Sequence, residues 1–263
     1  MAIVPGNHDI NRKACEAYFA DQESDEAEPV PPYWPKWRKF SAAFADFYAD
    51  VDGVTFTPDE PWTLFEMPEL SVVVAGMNST IAESHRDADH YGWVGEHQLR
   101  WFADRLGGYR ARGWLRLAAV HHNVVRGAAA DDENLRDADD LDRLIGQPAL
   151  ANLVLHGHTH DGRLHRLPSG LAVLSTGSAA VDTAARPAEV PNQYQLITVR
   201  RDGFTRHARQ YALGQRRWIG DTRISPSGSD WRVQQKHELT NIDKVFSARP
   251  SRRRSRAGHR SAA

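Results

Sequence analysis

The chain has 263 residues, with 33 Lys+Arg, 34 Asp+Glu, 13 His and one Cys. That length suits one large domain or two small ones, and the composition excludes collagen-like, mucin-like or wholly disordered proteins. No apolar run approaches the roughly 18 residues of a membrane-spanning helix. No basic segment followed by an apolar one opens the chain, and the lone Cys15 excludes an intrachain disulfide or a thiolate zinc site, so a cytoplasmic setting without a membrane partner is expected.

Residues 2–4 form a short apolar run stopped by Pro5-Gly6, which predicts a buried strand. Residues 11–20 read as a helix, and the acid- and proline-rich stretch 21–35 reads as an exposed loop. Trp37, Phe40, Phe44, Phe47 and Val51 recur at spacings of three and four, predicting a second helix with one apolar face. Residues 62–67 and 70–77 predict two strands joined around Pro68-Glu69. Leu99, Phe102, Ala103 and Leu106 mark a further helix closed by Gly107-Gly108. Strands are predicted at 115–120 and 152–155, with a short helix carrying Leu141, Leu144 and Ile145 between them. Short strands follow at 163–167, 171–175, 193–200 and 204–211, so the chain alternates β and α first and becomes mostly β later.

The charge is uneven. Six of the arginines fall in 249–263 with no acid among them, leaving 27 basic against 34 acidic residues, a net −7, in 1–248. The body carries no basic patch of the kind that binds nucleic acid. The arginine tail reads as a solvated, disordered end whose one conceivable partner is nucleic acid or an anionic lipid. Six of the histidines lie within residues 121–165. With no cysteine beside them, such a cluster suggests a mixed nitrogen and oxygen metal site.

Three chemistry-bearing loops each begin where an apolar strand ends: Gly6-Asn7-His8-Asp9, His121-His122-Asn123 and Gly157-His158-Thr159-His160. Parallel neighbouring strands would bring them together at the carboxyl ends of the sheet, where α/β folds bind ligands. On an extended segment His158 and His160 point the same way and can share one ion; a bent loop sends them to two adjacent ions.

This ordered set resembles the calcineurin-like metallophosphoesterases of bacterial type. Further stretches agree: Ala75-Gly76-Met77-Asn78-Ser79, Tyr91 to Leu99, Leu167-Pro168-Ser169-Gly170 and Asn192 to Leu196. The resemblance covers roughly residues 2–212. It implies a four-layer α/β/β/α sandwich of two mixed sheets over 1–212, an extension at 213–248 and the arginine tail at 249–263. It implies a hydrolase that cleaves a phosphomonoester or phosphodiester with a metal-bound hydroxide, using two divalent ions such as Mn, Fe or Zn. Asn7, His121 and His158 would ligate one ion, with His121 preferred to His122, and His160 the other. His8 would face the phosphate as general acid or charge stabiliser, Asp9 would lie behind it, and His122 would support the site from its pocket.

Within these 263 residues the family's Asp-x-His motif and its Gly-Asp motif have no counterpart, because both precede Gly-Asn-His-Asp, which here starts at residue 6. The chain is expected to be N-terminally incomplete, without the fold's first strand–helix–strand. The missing aspartate would also remove the charge that holds two cations close together. The alternative is a non-catalytic relative that holds one ion, or a phosphorylated ligand, without turnover, and a chain this short of ligands could hold no ion at all.

Overall fold

The computed structural model describes residues 1–125, 134–200, 203–224 and 234–237. It is a mixed α/β protein with a seven-stranded mixed sheet and a smaller antiparallel one. The helices and strands in chain order are α1 (Arg12–Ser24), α2 (Arg38–Phe47), β1 (Val54–Thr57), β2 (Glu60–Met67), β3 (Val72–Gly76), α3 (Glu96–Ala111), β4 (Leu115–Val120), α4 (Ala138–Leu141), β5 (Leu153–His156), β6 (Leu164–Arg166), β7 (Ala172–Ser175), β8 (Gln193–Arg200), β9 (Gly203–Ala212), β10 (Arg217–Gly220) and β11 (Gln234–His237).

The large sheet runs β1-β2-β3-β4-β5-β7-β6. Its centre, β3-β4-β5-β7, is parallel, and the flanking pairs are antiparallel. The central strands are nearly continuous apolar runs, as strands buried on both faces must be. One face presents Val73, Ala75, Ala118, Val120, Val154 and Val173 to Leu99, Phe102 and Leu106 of α3 and to Leu141 and Ile145. On the opposite face, Phe65 and Val74 pack on Phe44 of α2. Further along that face, Leu115, Leu153, Ala172 and Leu174 pack on Phe204, Ile197 and Val199 of the small sheet. In that sheet β9 pairs with β8, β10 and β11, all antiparallel. The stretch 213–248 therefore contributes two strands to it, while the arginine tail lies outside the described residues.

Four expectations change. Residues 2–4 form no strand. Both sides of β3 are already paired, with β2 and β4, so no edge is open beside it. The segment lies on the sheet face instead, with Ile3 against the Phe44–Phe65–Val74 cluster. Second, Gly107-Gly108 does not end its helix. Those glycines face open space, and burial of Tyr109 carries α3 through to Ala111. Third, α2 stops at Phe47, which is 54% exposed, and Tyr48 rather than Phe47 stacks on Phe44. The first helix also runs four residues further than expected. Asn11 caps it by accepting from the Ala14 N–H, and Phe19 packs on Tyr33.

Candidate metal site

β4 and β5 are hydrogen-bonded parallel neighbours, Val120 opposite His156. The chain leaves them at His121 and Gly157, so both loops open at one end of the sheet, and the Gly157 N–H donates to the His121 carbonyl at 3.1 Å. The Gly6–Asp9 turn comes in beside them. It is closed by the Asp9 N–H on the Gly6 carbonyl and by the Asp9 carboxylate accepting from the Gly6 N–H at 2.8 Å. Asp9 thus holds the turn that presents Asn7.

Three side chains converge. His121 Nε2 lies 3.0 Å from Asn7 Oδ1 and 2.9 Å from His158 Nδ1. Donors bound at right angles to an ion at 2.0–2.1 Å are about 2.9 Å apart, so this spacing is that of neighbouring ligands on one cation. A single proton can satisfy only one of these two lone-pair contacts; a cation would satisfy all three donor atoms. Burial, helped by the neighbouring His122 and His158, holds the His121 imidazole down to about 2. Its lone pair is therefore free at neutral pH, as ligation requires. Among the described residues no three His, Cys, Asp or Glu side chains form a metal-holding group. The convergent set is two imidazoles and an amide, which fits one divalent ion and supplies no carboxylate for a second.

Gly6 is required by this packing. A Cβ there would sit 2.7 Å from His121 Nδ1. Gly6→Ala should displace the ring and weaken metal binding about 10- to 100-fold, as loss of a supporting contact typically does. Calorimetric titration with Mn²⁺ checks this, and unchanged affinity would contradict the packing argument.

His122 points away from the convergent point. It is buried, its Nδ1 is 2.8 Å from Ser79 Oγ, and its Nε2 faces Glu83 Oε1 at 3.3 Å. Both ring nitrogens are engaged, whereas His121 Nε2 faces Asn7 and His158. The rings of His121, His122 and His158 stand 4.8–5.1 Å apart, so His122 packs directly behind the other two.

His158 and His160 have φ of 65° and 53°, left-handed values that cost a non-glycine residue energy and that cluster at functional sites. The loop is bent, not extended, and His158 alone joins the three-donor set. His160 is half-buried, and burial together with nearby His8 lowers its pKa. His8 is exposed. With Asn7, Asp9, Arg12, Lys13 and Lys39 it lines an open basin of about 470 Å³, a positive mouth on an otherwise acidic body.

Two buried charged groups that carry no signal in the sequence hold the back of the site. Lys36 is wholly buried and donates to the carbonyls of Thr80, Ile81 and Glu83 at 2.6, 2.8 and 2.6 Å. It fixes the loop that carries Ser79 and Glu83. Burial pushes the Glu83 carboxyl up from 4.5 to about 7. Between those values the folded protein binds the proton and the unfolded chain releases it, so this group's contribution to stability falls as pH rises from about 4.5 to about 7. Glu83→Gln should flatten that decline in urea melts taken at intervals across the window; an unaltered pH profile would contradict it.

His156, at the end of β5, is 4% exposed, and burial lowers its pKa to about 4. It ligates nothing in the convergent set.

No family model and no curated protein sequence matches the chain. Among solved structures it is similar to a dimetal phosphatase from Danio rerio, with 18% identity, TM-score 0.38 and coverage of 45% of this chain and 36% of that one. It is also similar to GAP50, the anchor in the inner membrane complex of Plasmodium, with 11% identity, TM-score 0.39 and coverage of 72% and 59%. The chain thus spans less than two thirds of either structure. Likenesses this slight decide neither family nor activity.

Proposed function

We propose that the chain is a metal-dependent phosphoesterase of the calcineurin-like kind, acting on a phosphomonoester or phosphodiester in the cytoplasm. The observation that carries this reading is that Asn7 Oδ1 and His158 Nδ1 lie 3.0 and 2.9 Å from His121 Nε2. Mn, Fe or Zn would suit this donor set. When bound, such an ion supplies Lewis-acid polarisation of a phosphoryl oxygen and a water of lowered pKa. Arg12, Lys13 and Lys39 draw the anionic ester to the basin. His8, exposed in that basin, would donate a proton to the leaving oxygen. His160 would hold a second ion, and the four-layer sandwich is the architecture this reading expects.

The absence of a carboxylate from the convergent set favours a second reading, in which one ion is held without turnover. Hydrolysis of bis(4-nitrophenyl) phosphate by the Mn²⁺-loaded chain separates the two. Turnover abolished by His158→Ala supports the enzyme. One tightly held ion with no release of nitrophenolate supports the binding module and overturns catalysis.

A further inference from the structure

A cavity of about 340 Å³ opens beside the first turn of α3. Trp62, Trp93, Ile81, Pro31 and Pro32 give it an apolar wall, and Trp37 closes it from behind. The backbone of Trp93 is fixed to the neighbouring loop: its N–H donates to the Ser79 carbonyl at 2.8 Å, and its carbonyl accepts from the Ile81 N–H at 3.3 Å. His97 packs edge-on against Trp62, with ring centroids 6.0 Å apart.

Most polar groups on the lining are already matched. The Trp37 indole N–H donates to Thr80 Oγ1 at 2.8 Å. The Gln98 amide accepts from the Asn78 N–H and donates to the carbonyls of Asn78 and Val94. Glu96 is held by Arg100 at 2.6 Å. The end of α3 has its anions as well: Asp137 accepts from the Val94 and Gly95 N–H groups, and Glu96 stands in the first turn. The helix end therefore exerts little further pull on a negative ligand. Asp59, exposed on the rim, has neither an ion pair nor a hydrogen bond among the described residues.

What the cavity offers is aromatic surface and one unmatched carboxylate. The face of an indole ring attracts cations, and Trp37 already serves one in this way, with the Lys36 ammonium 4.5 Å from its ring centroid. An ammonium that carries N–H donors would lose its water partners against an apolar wall and leave those donors unmatched. A quaternary ammonium carries no such donors.

We propose that this cavity binds a quaternary ammonium on an apolar or aromatic body, its charged methyl groups against Trp62 and Trp93 and its counter-charge on Asp59. The inference is independent of the phosphoesterase reading, because none of Asn7, His121 and His158 lines the cavity.

Four phenols that differ in one substituent test it, titrated calorimetrically into the full chain: 4-(trimethylammonio)phenol, its uncharged isostere 4-tert-butylphenol, 4-hydroxybenzylamine and 4-hydroxybenzenesulfonate. The quaternary probe should bind about tenfold more tightly than its isostere, as a desolvated cation on an indole face does. The primary ammonium should bind more weakly than the quaternary one, and the sulfonate weakest of all. Asp59→Asn, at an exposed position whose side chain touches no partner, should weaken the quaternary probe about threefold and leave 4-tert-butylphenol unchanged. Trp93→Leu should bring the two isosteres close to equal affinity. In the ¹⁵N-tryptophan-labelled chain, the indole resonances of Trp62 and Trp93, assigned with Trp62→Phe and Trp93→Phe, should move with the quaternary probe. Equal affinities for the two isosteres in wild type, tighter binding of the primary ammonium or the sulfonate, unmoved indole resonances, or no binding at all would each overturn the site.

Discussion

Replacing Lys36 by methionine destabilises the protein by about 2–4 kcal/mol. The substitution keeps the volume and removes the donors. Three backbone carbonyls, of Thr80, Ile81 and Glu83, then lose the ammonium that satisfies them, and each buried unmatched carbonyl costs about 1–3 kcal/mol. Part of this is returned, because a buried ammonium carries a desolvation penalty of its own. The cation also lies 4.5 Å above the Trp37 ring and 5.2 Å above that of Tyr33, contacts methionine replaces only in part. Urea unfolding followed by tryptophan fluorescence measures the loss. The consequence reaches the metal site, since the same loop carries Ser79 and Glu83 to His122. A loss below about 1 kcal/mol would mean that the ammonium contributes little beyond filling space.

His121→Ala has the largest expected effect on function. His121 Nε2 is the atom common to both short contacts, with Asn7 and with His158. Without it the remaining two donors have no shared neighbour, and divalent-metal affinity should fall at least about 100-fold, beyond the loss seen for supporting residues alone. Any phosphodiester turnover should fall with it. His160→Ala provides the contrast. His160 stands outside the three-donor set, so the first ion should bind with unchanged affinity, and any effect should appear only on a second, weaker ion. Equal losses from the two substitutions would show that the convergent set is not the principal site.

The strands that matter most to the site are legible in the sequence for a simple physical reason. β4 and β5 are short apolar runs that end abruptly in histidine, and an apolar strand that stops at polar, metal-competent residues marks the edge of a buried sheet. The preference for His121 over His122 rests on the family resemblance, and what the sequence does not show is that His122 turns to Ser79 and Glu83. Residues 2–4 misled because burial alone does not distinguish a paired strand from a segment lying across a sheet face. The Gly107-Gly108 pair misled because glycine on the exposed side of a helix removes nothing the helix packs with. Lys36 and Glu83 were invisible: a buried charge has no periodicity, and its partners are backbone carbonyls and a distant imidazole. The Gly-His-x-His spacing is compatible with an extended or a bent loop, and only the backbone decides between them.

If the phosphoesterase reading holds, Asn7, His121 and His158 together bind one divalent ion. Pulsed electron paramagnetic resonance of the chain loaded with one equivalent of Mn²⁺ tests it by counting coordinated imidazoles. Two imidazole nitrogens are expected on a tightly held ion, one in His158→Ala and one in His121→Ala at sufficient metal. A spectrum with no coordinated imidazole, or one unchanged by both substitutions, would contradict it.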